Sequence, residues 1–146
     1  MLSSMIESQN KRRINIMKIL YVKPMEKPVV KEINTKLEDL QKEVEGCIQI
    51  VYPFDDQVCI ICNEEGKISG MDLNRGLKLS DCVEEESDKL YDIIAGPFLV
   101  VGLGEDSDFR DLTEEEIRKY EKRFHYPEMF YKKQNGEIEI IELGEN

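Results

Sequence analysis

The polar side chains best suited to binding a ligand are concentrated between residues 63 and 75 of this 146-residue chain. The candidate ligand-binding residues are Asn63, Glu65, Asn74 and Arg75. Arginine presents a planar fork of donors that fits a carboxylate or a phosphate, and asparagine offers both a donor and an acceptor. Together these residue types suit a small anionic ligand. The structural alternative is that Arg75 pairs with a surface acid while the asparagines cap turns.

A β-hairpin is the element that would bring these residues together. Two apolar segments flank a short turn that contains glycine, which is typical of a hairpin. The predicted segments are, in order, a strand at 58–62, a turn at 63–66, a second strand at 67–71 and a loop at 72–75. Because antiparallel strands joined by a short turn run side by side, the two ends of the hairpin lie close together. We therefore expect Asn63, Asn74 and Arg75 to converge on one rim.

The four cysteines are predicted to be free thiols, and Cys59 and Cys62 are predicted to be buried in the core. Cys59 and Cys62 formally match a C-x-x-C motif, but they lie in the predicted strand at 58–62, where residues three apart point to opposite faces. The only histidine, His125, is distant in the sequence. We therefore predict no metal site and no cofactor.

No catalytic residue is predicted. His125 lies at the end of a predicted helix, where a histidine commonly complements the helix dipole, and no recognisable nucleophile accompanies it. The enzyme alternative is a small hydrolase that uses Glu64 or Glu65 together with Arg75. That reaction would need one of these carboxylates to be desolvated in a pocket.

The strong negative charge of the chain restricts its partners. Acidic residues number 31 against 20 basic ones, which gives a formal net charge of -11 at pH 7. Binding to nucleic acid needs a basic surface, so direct binding to nucleic acid is not expected. The acidity has two explanations, solubility and mimicry of DNA toward a basic host protein. The spread of the acids over several segments favours solubility.

Length and hydropathy indicate one domain with a short leader and a short tail. We expect a polar leader at residues 1–16, disordered or upstream of the natural start, a core domain at 17–130, and a hairpin strand and tail at 131–146. Met17 opens an apolar segment, so translation begins at Met1 or Met17. No apolar run approaches the ~18 residues that cross a bilayer, and the leader lacks the apolar core of a secretory signal. We expect a cytoplasmic protein without membrane contact.

Two helices are predicted. The apolar spacing within residues 35–46 indicates a short first helix. Thr113 and Glu116 form a capping box, which predicts a second helix that ends before Pro127. Between the two helices, the acidic run at residues 84–86 is predicted to be a solvated loop.

The remaining apolar segments predict strands. Strands are expected at residues 17–22 and 47–52, and residues 91–103 read as one strand that is buried on both faces and bent at Gly96-Pro97. Asn135-Gly136 between extended segments predicts a hairpin in the tail. The predicted fold is α+β, with a single mainly antiparallel sheet, two helices on one face of it, and a C-terminal β-hairpin.

Several short motifs occur in an order that resembles a known family. They are MKILYV at 17–22, NEEGK at 63–67, LNR at 73–75, YDIIAG at 91–96, LTEEE at 112–116 and PEMF at 127–130. This order resembles domain of unknown function 3846, an uncharacterised family of phages, plasmids and conjugative elements. The resemblance covers about residues 17–130 and implies a mobile-element setting in a bacterial cytoplasm. It implies no activity.

Three functions follow from these observations. The first is a non-catalytic binding protein of a phage or mobile element that counters host defence by sequestering a small nucleotide-type ligand at Asn63, Glu65, Asn74 and Arg75. The second is an acidic decoy that engages a basic host DNA-binding protein. The third is the small hydrolase described above.

Overall fold

The structure, a computed structural model, describes residues 16–82, 89–105 and 108–144. The predicted leader, apart from Ile16, and the predicted acidic loop at 84–86 lie outside these described residues. The strands and helices are β1 (Ile16–Val22), β2 (Val29–Asn34), α1 (Leu37–Val44), β3 (Ile48–Val51), β4 (Val58–Asn63), β5 (Leu73–Lys78), β6 (Leu90–Ala95), β7 (Phe98–Leu103), β8 (Phe109–Arg110), α2 (Glu114–Arg123), β9 (Glu128–Lys132) and β10 (Ile138–Glu142). One turn of 3-10 helix, Leu79–Asp81, follows β5.

The main sheet is antiparallel and has β7 near its centre. Its strand order is β2-β1-β7-β4-β3, and β8 also pairs with β7. Each described neighbour pair in this sheet is antiparallel. Phe98, Leu99, Val100 and Val101 are all fully buried, which confirms that this run of apolar residues is covered on both faces.

The two faces of the main sheet are covered by different layers. On one face, Leu40 and Val44 of α1 pack with Ile61 and Leu99 of the sheet. On the other face, α2 and the sheet formed by β5 and β6 pack against β1, β4 and β7. This arrangement confirms the α+β class. The expectation that both helices share one face is wrong, because each face of this two-sided apolar sheet needs its own cover.

The predicted hairpin over residues 58–71 does not form. Residues 64–70 form turns, and β4 pairs with β3 and β7, whereas β5 pairs with β6 in a separate two-stranded sheet. The stretch after β4 has no apolar face to bury, because Ile68 is exposed and Gly70 takes a φ of +76°. The chain therefore begins its next strand only at Leu73, which places Asn74 and Arg75 inside a strand and not in a loop.

The apolar run at residues 91–103 is divided between two sheets. Gly96 has a φ of +82°, in the left-handed region that suits glycine, and Pro97 follows it before β7 begins. The prediction of one bent strand is therefore wrong, because the bend separates β6 from β7. β6 joins β5, and β7 enters the main sheet.

The second helix and the tail hairpin are as predicted. Thr113 Oγ1 accepts from the amide of Glu116 at 3.1 Å, and Glu116 Oε1 accepts from the amide of Thr113 at 2.9 Å. β9 and β10 form an antiparallel pair whose turn contains Gly136 at a φ of +91°. Within the described ranges, neither helix has the length and apolar character needed to cross a membrane.

Candidate functional site

Arg75 lies inside the molecule, and its donors are occupied. Its side chain has no exposed surface. Nε and Nη2 donate to the carbonyl of Phe124 at 3.1 and 2.8 Å, and Nη2 also donates to the carbonyl of Glu26 at 2.7 Å. Nη1 donates to Oδ1 and to the carbonyl of Asn74 at 2.9 and 3.4 Å. These five hydrogen bonds use every N–H of the guanidinium group.

Asn74 is the partner of Arg75 in this buried cluster. Its Nδ2 donates to the carbonyl of Val22 at 3.0 Å and to that of Gly96 at 2.9 Å. Asn74 and Arg75 together therefore bind β5 to the end of β1, to the junction of β6 and β7, and to the end of α2. Both side chains satisfy main-chain carbonyls that would otherwise be buried without a donor.

Burial and neighbouring charges shift the pKa of Arg75 in opposite directions. Burial lowers the pKa of Arg75, the nearby Glu128 raises it, and Arg123 lowers it. The Glu128 side chain is only 3% exposed, and its Oε1 accepts from the amide of Gly76 at 2.8 Å. Glu128 thus supplies a negative charge close to the buried Arg75 and to the partly buried Arg123.

Asn63 and Glu65 form a separate pair. Asn63 Nδ2 donates to the carbonyl of Val44 at 3.0 Å, and its Oδ1 accepts from the amide of Glu65 at 2.8 Å. The Glu65 side chain is exposed in the turns after β4. Among the described residues, no hydrogen bond joins this pair to Asn74 or Arg75. A ligand-binding role for the four residues stays a prediction, and the hairpin that was to unite them is absent from this fold.

Structural roles account for Cys59, Cys62 and His125. Cys59 and Cys62 are buried and free, and burial raises their pKa values to about 12 and about 11. His125 Nδ1 lies 2.7 Å from Oε1 of Glu121, one helical turn away. Among the described residues, no group of three or more His, Cys, Asp or Glu side chains is arranged to hold a metal ion. Glu64 is exposed like Glu65.

A cleft of about 1070 Å³ lies between the β5–β6 sheet and the C-terminal hairpin. Four lysines and four acidic residues line it, namely Lys67, Lys78, Lys89 and Lys133 with Asp92, Glu137, Glu139 and Glu142. Tyr91 also lines the cleft and is 46% exposed, so its ring is available for stacking. Leu90, Ile138 and Ile140 supply apolar surface between these groups. No local sequence pattern predicted this cleft.

The lysines of the cleft differ in how they are paired. Lys67 Nζ lies 2.6 Å from Oδ1 of Asp92, and Lys133 Nζ lies 3.7 Å from Oε2 of Glu139. No ion pair joins Lys78 to a carboxylate in the described part of the chain, which makes Lys78 the ammonium most available to an anion. Burial raises the pKa of Tyr91, and Cys82, Asp81 and Asp92 raise it further against a lowering by Arg123, so the ring stays neutral at pH 7.

Gly76 leaves room for two apolar side chains that line the cleft. A Cβ atom on Gly76 would lie 2.6 Å from Cδ1 of Ile140 and 2.6 Å from Cδ1 of Leu90. The absence of a side chain therefore leaves space over β5 for the side-chain tips of Leu90 and Ile140. The spacing of the four lysines in the sequence follows no helical or strand period, so no local pattern could have assembled them.

Among known proteins, the chain matches one family model. No curated protein and no solved structure matches the chain. The family model described as Domain of unknown function (DUF3846) matches residues 17–125, which is about three quarters of the sequence. The chain therefore belongs to the DUF3846 family.

Proposed function

We propose that this protein is a non-catalytic binding protein that holds a small anionic, nucleotide-type ligand in the cleft between the β5–β6 sheet and the C-terminal hairpin. The observation that carries this proposal is the convergence of four lysines and a half-exposed tyrosine on one concavity of about 1070 Å³. Ligand sites are concave, with apolar walls and a few polar groups that fix orientation, and this volume is at the upper end of their usual range.

The overall charge of -11 is compatible with an anionic ligand in this cleft. At physiological ionic strength, charges separated by more than about 8 Å in solvent are largely screened from one another. The ligand therefore responds mainly to the groups that line the cleft, where four lysines balance four carboxylates. A phosphate gains charge-assisted hydrogen bonds from Lys78, and it competes with Asp92 for Lys67 and with Glu139 for Lys133.

The setting that we propose is a phage, plasmid or conjugative element in a bacterial cytoplasm. In that setting, sequestering a nucleotide-type ligand would counter a host defence that uses it as a signal. The support for this part is the resemblance of motif order described above.

The other two functions have less support from the geometry. Exposed acids are interleaved with lysines in ion pairs such as Lys31–Glu43 and Lys67–Asp92, whereas a decoy for a basic protein is best served by a continuous acidic face. The hydrolase would require Arg75 to act beside Glu64 or Glu65. Those carboxylates are exposed, and the guanidinium group is bonded to main-chain carbonyls.

Thermal unfolding in the presence of a nucleotide panel tests the proposal. A ligand at about 100 times its Kd stabilises the folded state by about 2.7 kcal/mol, which raises Tm by roughly 5–10 °C for a chain of this size. The Lys78→Gln variant should lose most of that shift. The Lys122→Gln variant is the matched control, because Lys122 is exposed on α2 and lines neither the cleft nor a neighbouring cavity.

Two results of the thermal-unfolding experiment would contradict the proposal. If no nucleotide at millimolar concentration raises Tm, or if the Lys78→Gln and Lys122→Gln variants respond alike, then the cleft is not the binding site. Binding to a basic DNA-binding protein that weakens with salt, without any nucleotide shift, would instead support the decoy.

A further inference from the structure

A smaller cavity of about 330 Å³ adjoins the cleft, and the two share lining residues. Lys78 and Glu142 line both concavities. The smaller cavity is otherwise formed by residues of the 3-10 turn and of α2, with Phe54 beside them. A ligand bound in the cleft at Lys78 therefore has a second concavity directly beyond that lysine.

The smaller cavity contains donors for an anion. Arg123, Lys119 and Ser80 line it together with Lys78. Arg123 Nε and Nη2 donate to Asp81 at 2.5 and 2.8 Å, and Nη2 also donates to the carbonyl of Gly76 at 2.9 Å. Nη1 of Arg123 has no hydrogen bond to any described residue. The guanidinium group is thus held in one orientation, and the Nη1 donors have no acceptor among the residues that the structure describes.

Three basic side chains and two acidic ones line this cavity. Lys78, Lys119 and Arg123 stand against the carboxylates of Asp81 and Glu142. Burial alone would lower the pKa of Arg123, but its hydrogen bond to Asp81 and the charges of Asp81, Glu128 and Glu142 raise it, so the guanidinium group is positive throughout the physiological range. Lys119 also pairs with Asp56, which lines neither concavity.

Two aromatic side chains, Phe54 and Tyr120, also line the smaller cavity. The ring centroids of Phe54 and Tyr120 are 4.5 Å apart, and the Tyr120 hydroxyl donates to Oδ2 of Asp56 at 2.7 Å. The volume of about 330 Å³ is at the lower end of the range for small-molecule sites, and it accommodates one or two phosphate groups.

We infer that the smaller cavity is a phosphate subsite for the ligand of the cleft, and that the ligand class is a nucleotide carrying more than one phosphate group. This inference rests on the proposed function. The nucleoside part lies in the cleft with its base against Tyr91, Lys78 contacts the first phosphate, and the outer phosphate receives hydrogen bonds from Arg123 Nη1, Lys119 and Ser80.

Calorimetric titration with AMP, ATP and inorganic pyrophosphate tests the inference. ATP should bind at least about tenfold more tightly than AMP, since the subsite adds charge-assisted hydrogen bonds. The Lys119→Gln variant should remove most of this ratio and leave AMP affinity unchanged, whereas Lys122→Gln should preserve it. Ser80→Ala, at an exposed position, gives a second readout with the Lys119–Asp56 pair intact.

The possible results separate the subsite from the cleft. Equal affinities for AMP and ATP overturn the subsite and leave the proposed function standing. Binding of pyrophosphate that depends on Lys119, with no binding of AMP or of any other nucleoside monophosphate, supports the subsite and counts against the cleft. If neither pyrophosphate nor ATP binds, or if Lys119→Gln and Ser80→Ala both leave their affinities unchanged, the inference is overturned.

Discussion

Arg75 holds the main-chain carbonyl of Phe124 with two hydrogen bonds, from Nε at 3.1 Å and from Nη2 at 2.8 Å. Phe124 is the C-terminal cap of α2, so this fork fixes the end of the helix to the middle of β5. A positive group at this end also complements the helix dipole. Arg75 can be buried despite its charge because main-chain carbonyls accept the hydrogen bonds of its guanidinium group.

The Arg75→Lys variant should be strongly destabilised. Lysine keeps the charge but has three donors on one nitrogen, so it cannot serve Phe124, Glu26 and Asn74 together. We expect the free energy of unfolding to fall by about 2–4 kcal/mol, measured by urea unfolding followed by circular dichroism. Arg118→Lys is the control, because Arg118 is exposed on α2. A loss for Arg75→Lys no larger than for this control would contradict the structural role.

The Gly66→Ala variant tests a close approach between two main-chain segments. A Cβ atom at Gly66 would lie 2.6 Å from the carbonyl oxygen of Ala95, and a main-chain oxygen cannot move aside as a side-chain tip can. We expect a loss of about 1–3 kcal/mol in the same urea measurement. Gly144→Ala should change little, since no atom lies within 4 Å of its Cβ position. Equal stabilities of the two variants would disprove the contact.

Glu116 should make stability depend on acid pH. Hydrogen bonds from Arg110 at 2.8 and 2.9 Å lower the pKa of Glu116 against the effect of burial, and bonding to Thr113 lowers it further. Because the folded pKa is below the unfolded value of about 4.3, the stabilisation is present above pH 4.3 and is lost as pH falls through the folded pKa. We expect Glu116→Gln to be less stable than the parent protein by about 1 kcal/mol at pH 7.

The pH dependence itself is the decisive measurement for Glu116. The difference between Glu116→Gln and the parent protein should shrink as pH falls below about 4. Glu114→Gln removes a carboxylate that is exposed in the same helical turn, and it should show no comparable convergence. A difference that stays constant from pH 7 to pH 3 would show that the ion pair with Arg110 contributes nothing.

The cysteines should differ in their rates of alkylation in the folded protein. Burial raises the pKa of Cys59 to about 12 and that of Cys62 to about 11, whereas Cys47 is exposed. Alkylation by iodoacetamide at pH 8, read by mass spectrometry, should label Cys47 and spare Cys59 and Cys62. In urea all of them should react. Since both folded pKa values are raised, their contribution to stability is complete below about pH 8.5 and is lost as pH rises toward 11–12.

Labelling of Cys59 in the folded protein at the rate of Cys47 would contradict the buried position of β4. Such a result would also weaken the assignment of the main sheet, because Cys59 packs on the α1 face within the same cluster as Val101 and Leu99.

The features that the sequence predicted correctly are those specified by neighbouring residues. The capping box of Thr113 and Glu116 needs only four consecutive residues, and the tail hairpin needs only Asn135-Gly136 between extended segments. The burial of residues 98–101 follows from a run of apolar side chains that have no polar face. These features depend on residues that are close in the sequence, so they form independently of how the rest of the chain packs.

The tertiary structure decided which strands pair and which polar groups are buried. β5 pairs with β6, some twelve residues further along, and not with β4, so the predicted rim of Asn63, Asn74 and Arg75 was never assembled. Arg75 and Asn74 are buried because four distant carbonyls, those of Val22, Glu26, Gly96 and Phe124, converge on them. The cleft depends on the same long-range packing. Lys78 and Lys89 meet where β5 pairs with β6, and Lys67 joins them through its ion pair with Asp92. Lys133 comes from the C-terminal hairpin, so no pattern of neighbouring residues records the cleft.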